Sequence, residues 1–341
     1  MLMNQLNRRA FVQRTGLAGL SLLAASLPNR AAADPDPPAG ASGSKPAATG
    51  SPEPDIYSFQ LGGTDAFVIH DGAVAFPGIQ PAFAPEAKPP EIEELLRKNF
   101  LPADHIALSL NVLVVKGKSG VMIFDSGAGK AFGPVAGKLV RGLARIGVTP
   151  RDVSTIYVTH AHADHIAGLV DESNGLAFPA AKIVMAREEA NFWTADAPNL
   201  SGMRTPPEMK AQVAATIKSL LNGVKANLEL KKAGKLTPEV ELIAAPGHTP
   251  GHSLFRVTQG ADQILVIGDA VHAYALQFPH PEWTMMFDVD PSQAIKTRDW
   301  IFKNAAAERT TLLGYHLPFP GIGHVRSAEH GYEWVPKPWV T

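Results

Sequence analysis

The chain has 341 residues, of which 18% are charged and 45% hydrophobic, with a formal net charge of −1. That length accommodates one large or two ordinary domains, and the near-neutral charge leaves no electrostatic footprint for nucleic acid or an anionic membrane. There is no cysteine, which excludes disulfides, thiolate metal sites and a cysteine nucleophile and leaves the 12 histidines as the nitrogen or sulfur side chains suited to a transition metal.

The first 33 residues read as an export signal. Asn7-Arg8-Arg9-Ala10-Phe11-Val12 is basic, a mostly apolar run from Leu17 to Leu27 follows, and Ala31-Ala32-Ala33 offers a small-residue cleavage site. The run is well short of the roughly 20 apolar residues of a spanning helix. Paired arginines before a large apolar residue resemble the twin-arginine motif, whose pathway exports folded proteins; the alternative is an ordinary secretory signal that contains Arg-Arg. A periplasmic location permits disulfides, so a chain without cysteine fits folding and metal loading before export. Residues 34–54 are nearly all Pro, Gly, Ala, Ser and Asp and read as a disordered linker. One folded unit is expected over 55–341.

Within that unit the pattern alternates between strands and helices. Phe67-Val68-Ile69 and Val74-Ala75-Phe76 read as short strands around a turn at His70-Asp71-Gly72. A helix is expected from Glu91 to Phe100, then a hairpin of Leu108–Val115 and Val121–Phe124, then an amphipathic helix over Val135–Ile146. Thr155–Thr159 is a buried strand. Further strands are expected at Lys182–Met185, Val240–Ala244, Ser253–Val257, Ile264–Ile267 and Thr311–Gly314, with helices over Arg187–Trp193, Pro206–Leu221 and Pro291–Ala307. Hairpins in both halves with helices between them favour an α+β fold of two packed sheets with helices outside.

The chemistry concentrates in His160-Ala161-His162-Ala163-Asp164-His165, which follows the apolar Ile156-Tyr157-Val158. On an extended segment residues i and i+2 point the same way, so His160 and His162 can grip one ion. If the chain then turns into a helix, Asp164 and His165 face a second position. Such a density of polar side chains after a buried strand needs partners, and metal ions supply them.

These residues resemble the H-x-H-x-D-H signature of the metallo-β-lactamase superfamily. Pro246-Gly247-His248-Thr249, Ile267-Gly268-Asp269, Gly314-Tyr315-His316 and the Asp125-Ser126-Gly127 turn fit its later and earlier motifs in order. The resemblance implies an αββα sandwich of two mixed sheets. It implies a first metal on His160, His162 and His248, a second on Asp164, His165 and His316, and Asp269 bridging both, with His252 orienting ligands. Two divalent ions are expected, zinc fitting the ligand set best, with Fe, Mn or Co open. Such a pair activates a water for hydrolysis without a Ser or Cys nucleophile, and Asp164 could also shuttle a proton.

Beyond the ligands, the sequence is similar to the exported methyl parathion hydrolases and their lactonase and arylesterase relatives. His316-Leu317-Pro318-Phe319-Pro320-Gly321-Ile322-Gly323-His324 is the most specific piece, with Phe132-Gly133-Pro134, Glu189-Ala190-Asn191-Phe192-Trp193 and Gln277-Phe278 in support. Three residues after Asp269, where those lactonases often have tyrosine and the methyl parathion hydrolases look leucine-like, this chain has His272. A hydrogen-bond donor there suits a carbonyl oxygen better than an apolar phosphotriester pocket. Phe287 also looks bulkier than a dedicated phosphotriesterase would use. The expectation is a hydrolase of lactones or aryl esters with secondary activity on organophosphate triesters, a dedicated organophosphate hydrolase being the alternative. A metal-stabilised binding protein on the same scaffold is the non-enzyme alternative. Phe192, Trp193 and Phe287 are the expected substrate contacts, the partner is a small molecule, and a homodimer is left open.

Overall fold

Residues 53–338 are described by a computed structural model of the chain; the expected leader, and the linker up to residue 52, lie outside them. Each half of the described chain forms one seven-stranded sheet in unbroken sequence order. The first holds β1 (Ile56–Leu61), β2 (Thr64–Pro77), β3 (His105–Gly117), β4 (Gly120–Phe124), β5 (Val153–Val158), β6 (Lys182–Ala186) and β7 (Leu228–Lys231). It is antiparallel from β1 to β4 and parallel from β4 to β7. The second holds β8 (Gly234–Lys235), β9 (Val240–Ala244), β10 (Ser253–Gln259), β11 (Asp262–Val266), β12 (Leu312–Leu313), β13 (Ile322–Ser327) and β14 (Tyr332–Pro336), with only the β11–β12 pair parallel.

The period of two along each strand builds the layers. In β3, Val112 and Val114 point to an outer core while Leu113 and Val115 point to the space between the sheets. In β5, Ile156 and Val158 point out and Tyr157 points in. The inner core is closed by Leu242, Phe255, Val257, Ile264 and Val266 from the second sheet. Helices α1 (Pro89–Lys98), α2 (Leu139–Arg145), α3 (Ala163–Ile166), α4 (Arg187–Thr194) and α5 (Pro207–Gly223) cover the first sheet. Beyond α6 (Tyr274–Gln277), α7 (Pro291–Glu308) lays Ile301, Phe302 and Ala305 on the second. The chain is therefore an αββα sandwich of two mixed sheets. Among the described residues no helix is long and apolar enough to cross a membrane.

Two expectations are corrected. His70-Asp71-Gly72 is no turn: β2 runs through it with a bulge that turns the Asp71 carboxylate inward. There Asp71 accepts from the backbone N–H of Ala128 (2.9 Å), Gly137 (3.0 Å) and Leu139 (2.7 Å). The helix expected over 135–146 spans only Leu139–Arg145, because Gly137 at φ +79° breaks the run. Strands β1, β7, β8, β13 and β14 lie outside the expected set; β7 and β14 have no fully buried position, and the four-residue alternation Leu228-Glu229-Leu230-Lys231 is short.

Candidate metal centre

Four loops meet at one end of the sandwich, each leaving the C-terminal end of a strand. His160 and His162 follow β5, His248 sits between β9 and β10, Asp269 follows β11 and His316 follows β12. The backbone N–H of Ser253 donates to the carbonyl of Thr159 (2.9 Å), tying the start of β10 to the end of β5 across the two sheets. Past His162 the chain enters α3, which brings Asp164 and His165 into a second group, the His165 ring 4.1 Å from that of His160. Gly268, at φ +49°, lets the chain pass: a Cβ there would lie 2.7 Å from His252 Nε2.

The side chains converge as two groups sharing Asp269: His160, His162 and His248 in one, Asp164, His165 and His316 in the other. Within each, the candidate ligand atoms lie within 4.8 Å of one another. His248 Nε2 is 2.9 Å from His162 Nδ1. Asp269 Oδ1 is 3.0 Å from His165 Nε2, and Oδ2 is 3.2 Å from His316 Nε2. His160 Nε2, His165 Nε2 and Asp269 Oδ1 are buried with no hydrogen-bond partner. Buried polar atoms aimed at a common point and left unsatisfied are what a coordinated cation would complete. The residues present fit divalent metal ions, zinc among them.

Ring orientation is set from behind. His165 Nδ1 pairs with Asp125 Oδ2 (2.8 Å), His248 Nδ1 with Asp288 Oδ1 (2.8 Å), and His316 Nδ1 with the carbonyl of Ser109 (2.9 Å). Each contact takes the far nitrogen and leaves Nε2 for the site. His252 accepts the backbone N–H of Asp269 at Nε2 (3.0 Å), the orienting role expected for it.

The electrostatics split the histidines. Burial, reinforced by neighbouring histidines, holds His160 and His162 well below the usual imidazole range, ready to ligate as neutral rings. Burial also disfavours charge on His248 and His316, but hydrogen bonds to Asp269 and Asp288 raise the first to about 9, and Asp269 with Asp164 raises the second to about 9. Burial pushes Asp164 up; His165 and His316 outweigh it and hold the carboxyl at about 2.

Beside the two groups lies a cavity lined by His162, Asp164, His248, Asp269, His272 and His316 together with the apolar Val74, Phe76, Leu108, Phe132, Val213, Ile217, Met285 and Phe287. His272 is buried, its Nε2 is 3.1 Å from Asp269 Oδ2, and its ring stacks on that of His316 at 5.2 Å. Burial lowers its pKa to about 4, leaving a neutral ring. Phe287 lines the cavity. Trp193 and Phe192 do not: Trp193 is fully buried behind His162, rings 5.7 Å apart, and Phe192 packs edge-on against it. Their place as cavity contacts is thereby corrected, because the indole N–H is drawn inward to Glu189 (2.8 Å). Sequence spacing does not show the contact of Asp288 with His248, 40 residues apart; for Glu189 it offers the i,i+4 pair with Trp193 but not the contacts with Ala161, Thr249 and Gly251.

Fold and site together define a member of the metallo-β-lactamase superfamily: a family model of that name matches residues 106–316, and the chain belongs to it. Among solved structures it is similar to AidC, a dizinc quorum-quenching lactonase in complex with the product N-hexanoyl-L-homoserine, at 28% identity and TM-score 0.82, covering 84% of this chain and 99% of that one. It is also similar to the hydrolase AbOPH of the beta lactamase superfamily, at 30% identity and TM-score 0.76, covering 84% and 98%. Two probable metallo-hydrolases, from Mycobacterium tuberculosis and Mycobacterium bovis, are 28% identical over 212 residues, 55% of this chain. The match spans 66% of those curated relatives, just under two thirds of their length.

Proposed function

We propose that the protein is a dinuclear-metal hydrolase of lactones or aryl esters carrying an apolar group, with phosphotriester hydrolysis as a secondary activity. The observation that carries this reading is His272, a buried neutral imidazole on the wall where the apolar cavity meets the two ligand groups. The lactonase AidC, at 28% identity, supports the same substrate class.

Divalent ions held by the two groups supply an acidified water and a Lewis acid for the electrophile. The chain does the rest. Phe76, Val213, Ile217, Met285 and Phe287 bind the apolar substituent and exclude water around it. The single N–H of neutral His272 lies against Asp269 Oδ2 in this structure and would turn from it to the carbonyl oxygen as that oxygen gains charge, and Asp164, which also lines the cavity, can relay the proton released when water adds to the ester carbon. The ester C–O bond then breaks to give the acid and the alcohol.

Catalytic efficiencies for dihydrocoumarin, an acyl-homoserine lactone and methyl paraoxon, in wild type and His272→Leu, test the reading. Lactones should lead in wild type, and the substitution should cost them about 100-fold while sparing the phosphotriester. If methyl paraoxon leads in wild type, the protein is a phosphotriesterase and His272 has another role. We further propose twin-arginine export to the periplasm, from Arg8-Arg9; replacing both with lysine should retain the protein in the cytoplasm.

A further inference from the structure

Glu189, on α4, is a fully buried carboxylate whose hydrogen-bond partners are all neutral. Oε1 accepts from the backbone N–H of Ala161 (2.8 Å) and the indole N–H of Trp193 (2.8 Å). Oε2 accepts from the Thr249 hydroxyl (2.6 Å) and the backbone N–H of Gly251 (3.0 Å). Three of these four are obligate donors, an environment made for an ionised carboxylate. Gly251 can carry no side chain, because a Cβ would lie 2.0 Å from the Glu189 nitrogen.

The partners are telling. Ala161 lies between His160 and His162, Thr249 follows His248, and Trp193 backs His162. Three of the four thus adjoin or back histidines of the first ligand group, and the fourth, Gly251, lies three residues beyond His248. That first group consists of three imidazoles and the shared Asp269, whereas the second adds Asp164. Behind the rings, Asp288 serves His248 and Asp125 serves His165. Asp125 also reaches His160 through the Thr159 hydroxyl, so the difference lies in the ligand sets themselves: one carboxylate in the first and two in the second.

We propose that Glu189 is a positioning residue for the first metal position: it pins the 160–162 and 248–251 segments to each other and supplies the negative charge that the histidine set lacks. A buried anion beside a site that takes up a dication is stabilised by that dication, so its charge is returned as affinity. The proposal rests on the dinuclear reading of the centre.

The test is zinc titration of the metal-stripped protein against a competing chelator, with bound ions counted by elemental analysis and cadmium-113 NMR distinguishing the two positions. Wild type should bind two ions. Glu189→Gln should weaken one of them on the order of 10–100-fold and leave the other little changed, the perturbed resonance being that of the three-imidazole position. Asp164→Asn, which alters the second group alone, should weaken the other ion instead. Wild type binding fewer than two ions overturns the dinuclear reading and this proposal with it. Two ions in wild type, with both unchanged or both equally weakened in Glu189→Gln, overturns the Glu189 assignment alone. Should that variant not fold, Thr249→Val, which removes one of the four donors and leaves the carboxylate in place, must weaken the first ion and spare the second. Equal weakening of both ions, or of neither, in Thr249→Val would overturn the proposal.

Discussion

At the residue scale, the centre is a contest between burial and carboxylates over the same imidazoles. Without an ion, His248 and His316 keep a proton up to about pH 9, held there by Asp269 with Asp288 and Asp164. Ligation requires neutral rings, so the proton competes with the metal. Both pKa values are raised, so the competition is full at pH 7 and fades as pH rises through about 9. Zinc binding at pH 7 should release protons, and apparent affinity should climb with pH. Calorimetry in two buffers of different ionisation enthalpy measures the release, and no release would contradict the geometry. The clustering of His160, His162, Asp164 and His165 was legible because four candidate ligands fall within six residues around the helix entry at Ala163. Asp288 was not, because it reaches His248 across 40 residues of chain and no local pattern marks it.

At the element scale, local rules are broken where tertiary contacts compensate, and once where none is visible. The Asp71 bulge is the first kind. Asp71→Ala would leave the buried backbone donors of Ala128 and Leu139 unsatisfied, at about 1–3 kcal/mol each, and should destabilise the protein by about 2 kcal/mol or more in urea unfolding. The end of α1 is the second kind. Phe100 donates its N–H to Arg97 and Leu101 donates to Leu96, the pattern that closes a helix with a left-handed residue, usually glycine. Here that residue is Phe100, at φ +56° and 98% exposed. Left-handed strain of about 1–2 kcal/mol exceeds the entropy glycine adds to the unfolded chain, about 0.4–1 kcal/mol. Phe100→Gly should therefore raise the melting temperature, and a fall would reveal that the ring packs against something in solution. Sequence reading placed β3, β5 and β10, where short apolar runs are buried, and overran α2, where Gly137 decides the start.

At the scale of the whole molecule, the two ligand groups join the sheets. His160, His162, Asp164 and His165 come from the first sheet's half of the chain, and His248, Asp269 and His316 from the second's. Any ion that binds the folded state alone stabilises it by mass action. Chelation under conditions shown to strip the metal should lower the melting temperature as well as abolish activity. An unchanged melting temperature would show that the ions do not clamp the halves. The fold class was legible because hairpins and helices occur in both halves, while the sequential order of each sheet follows from pairings that no single segment announces.

That sequential order has a consequence for fragment complementation. A cut between Lys232 and Ala233 falls between β7 and β8 and divides no sheet. Each fragment keeps a complete sheet but only part of either ligand group, and each presents to the other the apolar face of Tyr57, Phe124 and Tyr157 or of Phe255, Val257 and Val266. Reassembly of the two pieces should then depend on zinc, making the broken chain a coincidence detector whose output is the restored hydrolase.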